Sequence, residues 1–297
     1  MIKLLITGGC SFSCKPDCED GWHEQLELKL KESNSELKVV HTGFGSQGQE
    51  LIQKKVMLAI IEALSNGYKP EEILATVMWS GTYRKAWYID NPGIIKEVVD
   101  GMPKFNGGMT PIFLDLKNKN ADNPAYFKTA SGSEFAYNPN GGWLFTVNGS
   151  EYRHMEFIQQ HYMLDCNYNG IGKIHLSLEN IVMLQNFCKL QGVTLINQFF
   201  MDFVWQDIED HKHDLNINYL YRQLDCENMI VEGMFETLHE LLNVSRNQAR
   251  DLTHAERLKL DDNRRYFSRD GFHPGPLGSK FWCEKKLFPF LQCKQLI

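Results

Sequence analysis

The sequence predicts a doubly wound α/β domain, a mostly parallel sheet between two helix layers, with insertions. Three observations lead there. Short apolar runs without alternation recur, as expected for strands buried on both faces. Charged stretches with apolar residues at helical spacing separate them. Gly-rich loops follow the first two runs, where open α/β sheets build their sites.

Residues 2–7 (IKLLIT) form the first run, stopped by Gly8-Gly9. Trp22, Leu26 and Leu30 then recur at helical spacing through a charged stretch, which predicts an amphipathic helix. Leu37 to Val40 reads as a second strand and leads into a loop from Gly43 to Gly48. Ile52, Val56, Ala59, Ile60 and Ala63 mark the next helix, closed near Asn66-Gly67, and Ile73 to Trp79 is a third strand. The resulting β-α-β-α-β order is that of a doubly wound domain.

From about residue 90 to 172 the chain is rich in Gly, Asn, Pro and aromatics and shows little periodicity. A structureless loop of that length does not suit a compact domain, so an insertion or cap with its own small elements is expected. Alternation returns with a helix over Ser177–Gln191 and a strand over Val193–Met201. Residues 205–262 read as mostly helical, a second insertion. The tail from Leu277 reads as a final helix, interrupted or ended by Pro289.

The chain has 297 residues, 43% hydrophobic and 23% charged, with a formal charge of -6. That length buries a core without metal or disulfide staples. The acidic balance argues against nucleic acid as a partner, since phosphate recognition usually shows as a basic patch. No apolar run reaches the roughly 18 residues of a membrane span. The N-terminal apolar run falls short of the roughly 7–15 residues of a secretory h-region. With eight cysteines, the expectation is a reducing compartment and free thiols, in the cytoplasm or a virion.

Three motifs could carry chemistry. Gly9-Cys10-Ser11-Phe12 directly follows the first strand, and a serine there can act as a nucleophile with its own N–H facing an oxyanion. The same segment also suits a loop serine or a helix N-cap. Asp270 precedes His273 by three residues in a Gly/Pro-rich loop, a spacing that lets a carboxylate fix the imidazole tautomer for general-base work. Asp20–His23, Asp210–His213 and Asp251–His254 share the spacing, so it does not identify a site by itself. Gly43, Gly45 and Gly48 form a literal G-x-G-x-x-G, but on the second strand and with no acid closing the third. A dinucleotide site is thus disfavoured against a loop of N–H donors. Cys10, Cys14, Cys18 and His23 lack the tight C-x₂-C pairs of zinc or iron–sulfur sites, so no metal is expected. Trp79, Tyr83, Trp87 and Tyr88 suit core or lid packing, or else a sugar-stacking platform.

Taken in order, these pieces resemble the SGNH (GDSL-like) hydrolase family, and within it phage-type members. Gly9-Cys10-Ser11 matches the family's G-D-S block with cysteine for aspartate, and Lys38-Val-Val-His41-Thr-Gly43 leads into its second block. Asp270-Gly-Phe-His273-Pro274 matches its terminal D-x-x-H-P. Similarity is strongest over residues 1–90 and 265–297. The resemblance implies a flavodoxin-like three-layer α/β/α fold and ester hydrolysis, with carbohydrate O-acetyl groups as the expected substrate. It makes Ser11 the nucleophile, His273 the base and Asp270 its partner, with no cofactor. Ser11, Gly45, Ser46 and Ser80 become the oxyanion donors, and Trp79, Thr82, Tyr83 and Arg84 substrate contacts. The third-block asparagine is absent: Trp79-Ser80-Gly81-Thr82-Tyr83-Arg84 stands in its place. Losing such a donor costs about 10²–10³ in rate, which leaves open a binding or virion structural protein on the same fold. The expected partner is a small-molecule or glycan ester, with no membrane, and with virion or self-contacts through the insertions.

Overall fold

The computed structural model describes residues 1–13, 20–45, 47–89, 125–128, 134–137, 142–146, 170–261, 265–268 and 270–297. In chain order the strands are β1 (Leu4–Gly9), β2 (Lys38–His41), β3 (Ile73–Trp79), β4 (Lys85–Ile89), β5 (Ala125–Lys128), β6 (Glu134–Tyr137), β7 (Gly142–Thr146), β8 (Thr194–Phe199) and β9 (Met229–Gly233). The α-helices are α1 (Trp22–Lys31), α2 (Gln49–Ser65), α3 (Ile171–Gln191), α4 (Asp202–His211), α5 (Leu215–Tyr221), α6 (Met234–His239), α7 (Arg246–Asp251), α8 (His254–Leu260), α9 (Pro276–Trp282) and α10 (Phe288–Cys293).

The central sheet has the order β2-β1-β3-β8-β9, and every pair in it is parallel. The chain steps outward from β1 to β2, then back across β1 to β3. With right-handed crossovers, the rule for parallel β-α-β units, these two steps place α1 and α2 on opposite faces. α2 packs on β1, β3 and α3, while α1 packs on α9, which in turn meets α6. The fold is therefore α/β, a parallel five-stranded sheet flanked by helices. β1 and β3 are buried along their whole length, as the unalternating apolar runs require. At Gly8 an added Cβ would lie 2.5 Å from Val56 Cγ2, so α2 sits close on β1 because this residue has no side chain.

The stretch 205–262 departs from its expected helical character. It contains β9, which pairs with β8 at the sheet edge, so the sheet continues through it. Met229 and Ile230 are buried, but the run is short and ends Glu232-Gly233, too little for a period to register. Of the expected insertion at 90–172, most residues lie outside those described. Within it β5 pairs antiparallel with β6, and β7 pairs antiparallel with β4 outside it, so pairing with the insertion already begins at Lys85. α3 starts six residues before the expected Ser177. The terminal helix is interrupted by a π-turn at Cys283–Leu287, just ahead of Pro289, which sits in the first turn of α10. A π-turn is one of the ordinary ways a helix absorbs such a residue.

A buried polar chain ties the terminal helix to the sheet. The Trp282 indole N–H donates to Gln198 Oε1 (3.0 Å), and Gln198 Nε2 donates to Thr76 Oγ1 (2.7 Å). Gln198→Leu leaves the buried indole N–H without its acceptor, an expected cost of about 1–3 kcal/mol. Urea unfolding should show a lower midpoint at unchanged slope.

Candidate functional site

The carboxyl ends of β1, β2 and β3 meet at the point where the strand order reverses, where open α/β sheets bind ligands. Ser11 opens a short 3-10 turn, Ser11–Ser13, immediately after β1, and is itself buried. The turn is pinned by Ser13 N–H to Cys10 O (2.8 Å) and by the Trp22 indole N–H to Ser13 Oγ (3.0 Å). The loop after β2 lies directly against it. An added Cβ at Gly43 would lie 2.1 Å from Ser13 O, so this glycine serves a close backbone approach, which is a physical reason independent of any phosphate.

That loop is also held from within. Gln47 is fully buried; its Nε2 donates to Gly9 O and to Thr42 O (3.2 Å). Its Oε1 accepts from Lys55 Nζ (2.9 Å), and Lys55 also donates to Thr42 O (3.2 Å). Gly45 is half-buried beside this network. Ser46, the other expected oxyanion donor of the loop, lies outside the described residues.

The Asp270–His273 loop is built by backbone closure and one carboxylate. Phe267 and Pro274 form an antiparallel bridge, and Ser268 N–H donates to His273 O (2.8 Å). Asp270 Oδ1 accepts from Ser268 Oγ (2.7 Å), Phe272 N–H (2.8 Å) and His273 N–H (3.0 Å). His273 Nδ1 is 2.5 Å from Asp270 Oδ2. An ionised carboxylate only accepts, so Nδ1 carries the proton and a neutral ring presents a bare Nε2. That Nε2 is buried and has no hydrogen-bond partner among the described residues. Burial pushes the Asp270 carboxyl up, but the hydrogen bonds from His273, Ser268 and the two backbone N–H groups outweigh it. The net position is well below the usual carboxylate range.

Two supports under this loop were not read from the sequence. Asp261 is fully buried, and its Oδ2 accepts from Tyr266 N–H (3.0 Å) and Phe267 N–H (2.9 Å). Buried Arg257 donates to Gly271 O (3.3 Å), to Ala249 O (3.3 Å) and to His239 Nε2 (3.1 Å). Burial depresses His239 to about 4, against the opposing hydrogen bond to Phe235 O, so the ring stays neutral and accepts from the guanidinium. Gly271 has φ +68, and an added Cβ would lie 2.5 Å from His254 O. Glycine in a D-G-x-H turn was the available signal for this close approach.

The two loops touch through aromatic rings. Phe12, next to Ser11, lies 5.2 Å from the His273 ring and 5.3 Å from Phe272, centroid to centroid. Phe200, at the end of β8, is 5.1 Å from Phe12. The segment after β3 completes the wall. Ser80 Oγ is buried without a partner among the described residues, while Ser80 O accepts from Gln49 Nε2 (2.8 Å). Thr82 Oγ1 donates to Asp207 Oδ2 at a long 3.4 Å. The Arg84 guanidinium sits 5.5 Å over the Phe200 ring, and Tyr83 stacks on Phe203 at 5.8 Å.

Trp79 corrects its expected role. It is fully buried and its indole N–H donates to Asn197 Oδ1 (2.9 Å), so it is a core residue with no face for a ligand. Of the other aromatics, Tyr88 is exposed and Tyr83 and Trp87 are half-buried. Among the described residues no group of His, Cys, Asp and Glu could hold a metal ion. The described cysteines, Cys10, Cys188, Cys226, Cys283 and Cys293, are free thiols; Cys14 and Cys18 of the expected N-terminal cluster lie outside the described residues. No described helix is long and apolar enough to cross a membrane. No protein-family model matches the chain, and a search of curated proteins returns no match.

Because folding depresses Asp270, its contribution to stability is complete above the ordinary carboxylate pKa. It is lost as pH falls from there towards the folded value. Below about pH 4, the melting temperature of the natural protein should fall more steeply than that of Asp270→Asn. Equal slopes would show that this carboxylate carries no acid-sensitive stability.

Proposed function

We propose that the chain is a serine hydrolase of the SGNH type acting on an ester, with an O-acetylated carbohydrate as the substrate class. The observation that carries the reading is His273: its Nδ1 is committed to Asp270, and its buried Nε2 has no partner among the described residues, beside the Phe12–Ser11 turn. The parallel order β2-β1-β3-β8-β9, with these groups at its carboxyl edge, supports the fold part of the reading.

In this mechanism Ser11 Oγ attacks the ester carbonyl and its proton passes to His273 Nε2. The Asp270 carboxylate stabilises the imidazolium through the Nδ1–H bond. Backbone N–H groups of Ser11 and of Gly45 or Ser46 receive the oxyanion, with the Ser80 hydroxyl as a third donor. Collapse expels the alcohol, which takes the proton from Nε2. Water, deprotonated by His273, then releases the acid and restores Ser11.

The absence of an asparagine after β3 favours a second reading, a binding or virion structural protein on the same fold. A fluorophosphonate probe separates the two. The hydrolase reading expects covalent labelling that disappears in Ser11→Ala, together with loss of 4-nitrophenyl acetate turnover. Asp270→Asn should lower kcat by about 10²–10⁴. Neither labelling nor turnover by the natural protein would leave the binding reading in possession.

A further inference from the structure

α8 is a short helix with one committed face. A capping box fixes its start: Glu256 N–H donates to Thr253 Oγ1 (3.3 Å), and Thr253 N–H to Glu256 Oε2 (2.7 Å). His254, Arg257 and Leu258 then fall on one side at helical spacing, continued by Asp261 at the C-cap. All four meet the loop that carries Asp270 and His273. The His254 ring stacks on Phe272 at 5.6 Å. Gly271 is pressed between the His254 carbonyl and Leu258, whose Cγ would lie 3.0 Å from an added Cβ. Arg257 donates to Gly271 O, and Asp261 takes the N–H groups of Arg265, Tyr266 and Phe267. Ala255, Glu256, Lys259 and Leu260 are exposed.

Arg257 also reaches past the loop. Its fork joins Gly271 O, Ala249 O of α7 and His239 Nε2 of α6. The His239 end is itself fixed, because Nδ1 donates to Phe235 O (2.7 Å) and leaves Nε2 its lone pair. The guanidinium lies 4.7 Å over the Phe235 ring, which is 5.3 Å from Phe272. Apolar packing of similar volume often stabilises a fold as well as a buried cation does, so stability alone is a weak account of Arg257. What apolar packing cannot do is orient a peptide. The Gly271 carbonyl and the Phe272 N–H belong to one planar unit, and that N–H donates to Asp270 Oδ1 (2.8 Å). The unit is thus held at both ends, by Arg257 on its oxygen and by Asp270 on its nitrogen, and a rigid fork sets direction as well as distance.

We infer that Arg257 is a positioning residue for His273: by holding the Gly271 carbonyl it aims the Phe272 N–H at Asp270 and keeps that carboxylate on His273 Nδ1. The catalytic consequence rests on the hydrolase reading above; the positioning does not. Nitrogen NMR of the full chain labelled at histidine tests it at about pH 9, where an ordinary imidazole is neutral. The His273 signals are those lost in His273→Gln. In the natural protein the ring proton should sit on Nδ1. In Arg257→Met it should spread to Nε2, since the hydrogen bond that selects the tautomer is loosened. Turnover of 4-nitrophenyl acetate should then lose at least about 10-fold in kcat with KM changed by less than about 2-fold. Arg257→Gln carries the same comparison if the methionine variant does not fold. Arg257→Lys, with a donor left for Gly271 O, should recover the Nδ1 tautomer at least in part. An unchanged His273 tautomer in a folded methionine or glutamine variant overturns the positioning role and leaves Arg257 a packing residue. So does a lysine variant that recovers the melting temperature but not the tautomer. A tautomer shift in a protein that turns over no ester supports the positioning and sinks the hydrolase reading, so the two fail separately.

Discussion

Much of the candidate site depends on where the backbone of β1 ends. A strand in the middle of a parallel sheet delivers its last carbonyls into a buried edge, where water is a poor partner and each group must find a donor. Gly9 O meets that demand through the next crossover loop, accepting from Phe44 N–H at 3.2 Å and from the Gln47 amide. Once Gln47 is drawn inward, its oxygen needs a donor too, and Lys55 is buried in α2 to supply it. The Ser11 turn, the Gly43 loop and the start of α2 are thereby locked into one unit before any chemistry is considered.

The opposing loop follows a different logic. Its carboxylates satisfy backbone N–H groups directly: Asp270 takes two and Asp261 three, the third being Arg265 N–H at 3.3 Å. Charge-assisted bonds of this kind hold irregular backbone more firmly than neutral ones. The Phe12, Phe200, Phe235 and Phe272 rings then fill the space between the two loops with edge-on and tilted contacts, which keep the imidazole in an apolar surround.

What the sequence discloses of this follows from how local each signal is. β1 and β3 were legible because burial on both faces writes unbroken apolar runs, and α1 because helical spacing writes Trp22, Leu26 and Leu30. β9 was not, because a five-residue edge strand with two buried apolar residues leaves no period to count. The D-x-x-H motif was visible four times. What sets Asp270–His273 apart is tertiary: a bridge between Phe267 and Pro274, a carboxylate at Asp261, and a glycine pressed against His254 O. Arg257 and Lys55 were illegible for the same reason, since a buried cation looks like any other charged helix residue until its neighbours are known. Trp79 failed in the opposite direction. An aromatic at a strand end reads as a ligand platform or as core, and only the Asn197 acceptor decides it.

One feature of the topology bears on how the chain tolerates its own length. β3 and β8 are sheet neighbours, yet residues 80–193 run between them and include the two antiparallel ladders. The entropy of closing a connection grows only with the logarithm of its length, about 0.6 kcal/mol for each doubling. A few doublings beyond the shortest βαβ crossover therefore cost little at equilibrium, and a large appendage is cheap at that point. Kinetics are less forgiving. β3 must wait with an unpaired apolar edge until β8 arrives from far along the chain, so the same crossover that is thermodynamically permissive is the place where synthesis exposes the sheet longest.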